Sequence, residues 1–414
     1  MEQGCGGGGK SHDLSSYPIR PNLQLLAFDP DREMHRSLSP RVLDSSSNRG
    51  EAQTTSHLSV KGLTVGFGQQ LVLDRISFQV RVGERLCLLG PSGCGKTTCL
   101  RAIAGFIIPS SGAIVINGAD MANVPPEHRN IGILFQNYAL FPHLSVYDNV
   151  AFGLRMRGLS ESVIRSKVAD ALDLVRLMPA RSKRPAMLSG GEQQRIAFAR
   201  AVVIEPSLLL LDEPFSNLDA RLRQELRGEL LELLDQLSIT TIMVTHDQEE
   251  AMGIADRIAV MRKGVIEQID EPTEIYESPI SEFVARFVGD SNLFAGVARS
   301  QPGGAAIAVK DFGEFLVDQP VQDGPVRVLI RPEKIRVLPN GAGPAHSLNS
   351  MRCSGRVERL QYLGYRTEYQ ILVGDSRMLV WRMSEGRPAF QPGEAVELEW
   401  DRSRMLIFKA GTGK

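Results

Sequence analysis

At 414 residues the chain is long enough for two or three domains with a sizeable core, and 43 % hydrophobic with 23 % charged residues is an ordinary globular composition. Its 47 basic and 48 acidic residues nearly cancel, so the electrostatic footprint of a nucleic-acid partner is missing and none is expected. No run approaches the roughly 18 continuous apolar residues of a membrane span, the N-terminus carries no apolar signal segment, and five cysteines without a CxxC pair fit a reduced, cytoplasmic protein.

Residues 1–56 are rich in Gly, Ser, Asp and Arg without sustained periodicity, the pattern of a disordered extension or of residues upstream of the true start. Gly4 to Ser11 matches G-x-x-x-x-G-K-[ST], but no strand fits before it and no apolar helix follows, so it reads as flexible tail. From 57 to 288 short apolar runs alternate with helical patterns. Leu58 to Val80 alternates like antiparallel strands. Leu86–Leu89, Ile131–Leu134, Leu208–Leu211 and Thr241–Val244 are too short for globular helices and predict buried parallel strands.

Between these runs, Leu222, Leu226, Leu230, Leu233, Leu234 and Leu237 are spaced for one helix face. Val163, Ile164, Val168, Leu172 and Val175 form a second stripe, read as the core of a helical subdomain at about 137–190. Arg257 to Gln268 reads as a hairpin turning at Lys263-Gly264. Strands alternating with helices predict α/β architecture. From 289 to 414 the texture changes: Val326–Ile330, Gly355–Leu360, Glu368–Val373, Met378–Trp381 and Ala395–Trp400 are short strands broken by Gly, Pro, Asp and Asn, which predicts a small all-β barrel or sandwich.

Gly90-Pro-Ser-Gly-Cys-Gly-Lys-Thr97 also fits G-x-x-x-x-G-K-[ST], and here a strand precedes the match and a helix follows it. In that setting glycines let successive N–H groups curl around phosphate oxygens at a helix N-terminus. Gly90, Ser92, Gly93, Cys94, Gly95, Lys96, Thr97 and Thr98 are the expected nucleotide contacts. Lys96 is expected to reach the outer phosphates and Thr97 to ligate Mg2+, while Cys94 is read as a tolerated small residue. Downstream, Ser189 and Glu192 in Leu188-Ser-Gly-Gly-Glu-Gln-Gln-Arg195 form a capping-box pattern. Gly190 and Gly191 then leave helix-start N–H groups uncovered, a second phosphate-binding surface. Asp212 and Glu213 emerge from a buried strand at the end where α/β sheets bind ligands; Asp212 is placed to hold Mg2+ and Glu213 to polarise an attacking water. His246 ends another such strand.

In this order, from about Leu58 to Val288, the elements resemble the nucleotide-binding subunits of ABC transporters, and Leu188–Arg195 resembles that family's signature sequence. The implied fold is an α/β P-loop NTPase cassette with an antiparallel β subdomain and a helical subdomain. The resemblance implies ATP and Mg2+ as cofactors, Phe67 stacking on adenine, Gln136 contacting Mg2+ and sensing membrane subunits, and His246 sensing the γ-phosphate. It implies a homodimer in which Ser216-Asn-Leu-Asp219 crosses the interface, and ATP lies between the loop of one copy and Ser189, Gly190 and Gly191 of the other. Lys96, Glu213 and His246 are the implied catalytic set, so a non-hydrolysing copy is not expected. Two departures stand out: Phe67 where tyrosine is commoner, and Asn217 where alanine is usual.

Ile330-Arg-Pro-Glu333 and Gly355–Gly364 resemble the accessory OB-like (TOBE-like) barrel of ABC importer ATPases. That implies integral membrane permease subunits, an extracytoplasmic solute-binding protein acting indirectly, and a peripheral place at the cytoplasmic face of the inner membrane. Phe141–Tyr147 is the expected permease contact. Tyr362–Tyr369 and Phe287–Leu293 are similar to the spermidine/putrescine branch; ferric iron, phosphonate, sulfate or sugar import are the alternatives, and soluble ABC ATPases outside transport usually carry long coiled coils or two cassettes, whereas this sequence shows one cassette and no heptads.

Overall fold

The computed structural model describes residues 56–216, 219–343, 347 and 349–410. The extension read over 1–56, except Ser56, lies outside the described residues, as do the Gly4–Ser11 match, Cys5 and Asn217. The chain opens with an antiparallel hairpin of β1 (Ser56–Phe67) and β2 (Gln70–Arg81). After β3 (Arg85–Leu89) and α1 (Lys96–Ala104), β4 (Ser111–Ile116) returns to pair with β1, and β5 (Ala119–Asp120) completes a sheet of order β2-β1-β4-β5.

The second sheet takes β3, then β6 (Ile131–Leu134), which is followed by α2 (Val146–Met156), α3 (Glu161–Leu174) and α4 (Gly190–Val202). It continues with β7 (Leu208–Asp212), α5 (Ala220–Leu237), β8 (Thr240–Thr245), α6 (Gln248–Ile254), β9 (Arg257–Arg262) and β10 (Val265–Asp270). Two short helices, α7 (Pro272–Glu277) and α8 (Glu282–Phe287), close the segment. The order is β10-β9-β3-β8-β7-β6, parallel throughout except for β10.

The reason for the continuous apolar runs is that both faces of this sheet are covered. Leu209 and Leu211 point into one core with α2–α5, whereas Leu208 and Leu210 point into the other with α1 and the β1–β4 sheet. On α5, Leu226, Leu230 and Leu234 are buried and Leu222, Leu233 and Leu237 pack against them. The α3 stripe holds for Ile164, Val168, Leu172 and Val175, but Val163 is 42 % exposed. One residue earlier on a helix is about 100° round the axis, which takes Val163 off the buried face. No helix among the described residues is long and apolar enough to cross a membrane.

Beyond Val288 the described residues form strands joined by turns and two short 3-10 segments. β11 (Asn292–Gln301), β12 (Gly304–Val309), β13 (Gly313–Val317) and β14 (Gly324–Ile330) are followed by β15 (Arg336–Pro339), β16 (Ser350–Tyr362) and β17 (Arg366–Val373). β18 (Ser376–Met383), β19 (Ala395–Asp401) and β20 (Leu406–Lys409) complete it. Two antiparallel sheets, β13-β12-β11-β14-β20 and β15-β19-β16-β17-β18, share one core around Phe294, Ile307, Val328, Tyr369, Val380 and Trp400. The Ile330-Arg-Pro-Glu333 turn ties this part to the preceding helices. Buried Arg331 donates to the carbonyls of Ala285, Gly289, Asp290 and Tyr276, and its guanidinium lies 4.3 Å from the Tyr276 ring centre. Tyr276 in turn donates its hydroxyl to Glu333 at 2.9 Å.

Candidate active site

β3, β8, β7 and β6 lie side by side and parallel, so their carboxyl ends open on one edge. The loop after β3 is Gly90–Gly95, His246 follows β8, Asp212 ends β7 with Glu213 next, and Gln136 follows β6. Such an edge is where open α/β sheets bind ligands, because loops fan out there and helix N-termini converge.

The loop is held from below. Gly264, at the β9–β10 turn with φ 82°, donates its N–H to Cys94 O at 3.0 Å, and the neighbouring Lys263 is also left-handed with φ 46°. Gly90 sits where a Cβ would come within 2.5 Å of Met261 O and 2.7 Å of Cys94 Sγ. Only a glycine lets the loop run this close to β9. Lys96 is 5 % exposed, and its Nζ donates to Gly90 O at 2.6 Å and Pro91 O at 3.2 Å. Cys94 is a buried free thiol with its pKa raised by burial, consistent with a packing role for a small side chain. Ser92 and Gly93 are exposed on the loop, and Thr98 lies in the first turn of α1.

Thr97 donates its hydroxyl to Asp212 Oδ1 at 3.2 Å. Burial raises the Asp212 pKa, and the Thr97 hydrogen bond works against that rise. Among the described residues no group of three His, Cys, Asp or Glu could hold a metal. One carboxylate and one hydroxyl beside a phosphate loop do suit Mg2+, which keeps waters and borrows phosphate oxygens rather than filling an all-protein cage.

Glu213 is the focus of the edge. Gln136 Nε2 donates to its Oε2 at 3.1 Å, and His246 Nδ1 is 3.2 Å from its Oε1. Its backbone is left-handed, φ 46°, an arrangement costing on the order of 1–3 kcal/mol in a non-glycine residue. The N–H donation to Val244 O at 2.9 Å and the acceptance from Ser216 at 3.2 Å hold it there. A carboxylate fixed between an amide and an imidazole, next to the Thr97–Asp212 oxygens, is placed to accept a proton from a water attacking phosphorus.

Other expected residues stand apart. Phe67 ends β1, 55 % exposed, opposite Gln70. Ser189 caps α4 with a complete capping box: its Oγ accepts from Glu192 N at 3.3 Å, and Glu192 Oε2 accepts from Ser189 N at 2.8 Å. Gly190 and Gly191, as the first helical residues, have no partner within the helix for their N–H groups. Among the described residues no hydrogen bond or ion pair joins Ser189, Gly190 or Gly191 to the phosphate loop of the same chain. Asp219 caps α5 through Leu222 N at 3.0 Å.

Three supports escaped sequence reasoning because their partners are backbone or buried polar groups. Asn149, fully buried, accepts from Phe141 N and donates to the carbonyls of Phe141, Leu144 and Ser145, so it shapes the Phe141–Tyr147 segment. Within that segment Val146 is fully buried, leaving Pro142 and His143 as its exposed residues. Thr245 donates to Glu250 at 2.6 Å and accepts from Asp247 N at 3.0 Å, which fixes the turn carrying His246. Arg200, in the last turn of α4, binds the carbonyls of Tyr138 and Ala139.

The ABC transporter family matches residues 73–216 and the TOBE domain residues 328–408. The spermidine/putrescine import ATP-binding protein PotA of Nitratidesulfovibrio vulgaris is 43 % identical over 361 residues, spanning 84 % of this chain and 96 % of the relative. The sulfate/thiosulfate import ATP-binding protein CysA 2 of Chromobacterium violaceum is 45 % identical over 359 residues, spanning 86 % and 96 %. Among solved structures, cbiO1 from Clostridium perfringens, part of the ABC transporter complex cbiONQ, is similar with a TM-score of 0.50 and 32 % identity over 53 % of this chain and 90 % of that one. Identity above 40 % across nearly the whole length of both import proteins leaves one conclusion: the chain belongs to the ABC transporter family, among its import ATP-binding proteins, and is an ATPase coupled to transport.

Proposed function

We propose that the chain hydrolyses ATP to drive polyamine import, spermidine and putrescine, across the inner membrane. The observation that carries the motor reading is Glu213 held between Gln136 and His246 beside the Thr97–Asp212 pair. In this reading the cassette spans 57–288, its helical part about 137–190, and the accessory domain 289–414. The amides of Gly90–Gly95 with Thr98 cradle the phosphates, whose oxygens replace Gly90 O and Pro91 O around Lys96. Mg2+, held by Thr97 and Asp212 with Gln136 nearby, would neutralise phosphate charge when bound. Glu213 takes the proton from the attacking water, His246 orients against the terminal phosphate, and Phe67 stacks on adenine.

A second copy completes the site. Gly190 and Gly191 present N–H groups that have no partner within their own helix, with the capped Ser189 beside them at its start, and a facing phosphate chain matches them. Asp219 and its loop lie at that dimer interface. The permease partner docks at the exposed part of Phe141–Tyr147, which places the chain peripherally on the inner face of the membrane; the solute-binding protein acts through the permease.

The substrate rests on relatives. Those named for spermidine/putrescine import recur at 40 to 47 % identity, while the relative named for sulfate/thiosulfate import, at 45 %, favours a second reading. Uptake of radiolabelled spermidine, putrescine and sulfate in source cells lacking this chain separates them. Restoration of polyamine uptake by wild type, and not by Glu213→Gln, is expected. Restoration of sulfate uptake alone would overturn the substrate while leaving the motor in place.

A further inference from the structure

Gln136 reaches Glu213 from an unusual stretch of backbone. Two residues on, Tyr138 and Ala139 are both left-handed, with φ 60° and 47°, and neither is glycine. Consecutive residues do not hold that conformation unaided, because each Cβ crowds the backbone. Their N–H groups are taken up within the turn, Tyr138 N by Phe135 O at 2.9 Å and Ala139 N by Asn137 O at 2.6 Å, and their carbonyls are clamped from outside it by Arg200, whose Nη1 donates to Ala139 O at 2.7 Å and Nη2 to Tyr138 O at 2.8 Å. Its guanidinium also lies 5.6 Å from the Phe141 ring centre, and among the described residues no carboxylate pairs with it. A planar fork with a permanent charge suits two adjacent carbonyls in a way that a lysine ammonium does not. Arg200 belongs to α4, the helix that Ser189 caps at its other end. One rigid element therefore joins the signature residues to the turn presenting Gln136.

We propose that Arg200 is a positioning residue for ATP hydrolysis: by clamping the Tyr138 and Ala139 carbonyls it fixes the turn that brings Gln136 to Glu213, and so ties the placement of the signature helix to the catalytic carboxylate. This rests on Gln136 and Glu213 serving hydrolysis as proposed above. Loss of the clamp lets the turn relax and withdraws Gln136, which lowers kcat without touching the loop that binds ATP. Misplacement of a positioning group by about an ångström costs on the order of 10²-fold in rate.

The test is steady-state ATPase of the full chain for Arg200→Ala, Arg200→Lys, Gln136→Ala and the Arg200→Ala/Gln136→Ala double variant, each checked by circular dichroism. Arg200→Ala is expected to lower kcat roughly 10- to 100-fold with KM for ATP within about twofold. Arg200→Lys should lose activity too, and the double variant should be no slower than the slower single variant, because both changes break one link. Ala139→Gly added to Arg200→Ala should return part of the lost kcat, since glycine takes the left-handed conformation freely. Full multiplication of the two single losses, or no recovery with Ala139→Gly, would overturn the clamp. If Arg200→Ala does not fold, a folded Arg200→Lys with wild-type kcat overturns it equally. Loss in Gln136→Ala with unchanged kcat in both Arg200 variants removes Arg200 alone, whereas wild-type kcat in Gln136→Ala removes the reading beneath it.

Discussion

Glu213→Gln is expected to lower ATP turnover by about 10²–10⁴-fold while leaving MgATP affinity within about twofold of wild type. The substitution keeps the length and shape of the side chain, and an amide oxygen still accepts from Gln136 Nε2, now 3.1 Å from the carboxylate. What disappears is the carboxylate oxygen proposed to take a proton from water. The phosphate loop, Lys96 and the Thr97–Asp212 pair are untouched, so binding persists. Phosphate release under saturating MgATP and an equilibrium titration with a fluorescent nucleotide measure the two halves. Turnover within about fivefold of wild type would remove Glu213 from the chemistry and leave another group as the base.

Gly90→Ala is expected to weaken ATP binding by about 10- to 100-fold with the fold intact. The added methyl would lie 2.5 Å from Met261 O, on a strand fixed by its buried residues Ile258 to Met261, and 2.7 Å from Cys94 Sγ. Forcing one extra carbon into packed surroundings costs about 1–3 kcal/mol, and the loop, exposed at Ser92 and Gly93, yields more easily than β9 does. The amides that should face phosphate therefore move. A nucleotide titration beside a thermal melt separates the outcomes: weakened binding at an unchanged melting temperature fits, and wild-type affinity contradicts so tight a seat for the loop.

The parallel strands were legible because both faces of their sheet are covered, which leaves an unbroken signal such as Leu208–Leu211. The capping box at Ser189 and the Lys263-Gly264 turn were legible for a similar reason: local chemistry decides them. Strands of the β part were harder. β12 contains Ala305-Ala306-Ile307-Ala308, and alanine carries little strand preference even though Ala305, Ala306 and Ile307 are buried. Val163 belongs to the apolar stripe by residue type, but helical geometry turns it outward.

At the candidate site, motifs indicate which residues to inspect, but spacing along the chain says nothing of their convergence. Gln136 and Glu213 are 77 residues apart and meet at 3.1 Å only because β6 and β7 are neighbours. Arg200 and Asn149 left no trace, since an arginine or asparagine that binds backbone carbonyls requires no particular residue type opposite it. Polar side chains on apolar helices are the one signal that could have singled them out.

A site completed by a second copy makes the most direct demand on the molecule. Light scattering after size exclusion of Glu213→Gln should give twice the 45.5 kDa chain mass with MgATP and the single mass without it. Adding Ser189→Arg, which places a long side chain over the exposed start of α4, should return the single mass at saturating MgATP. A chain that stays single while its nucleotide site is full would contradict hydrolysis at a two-copy site.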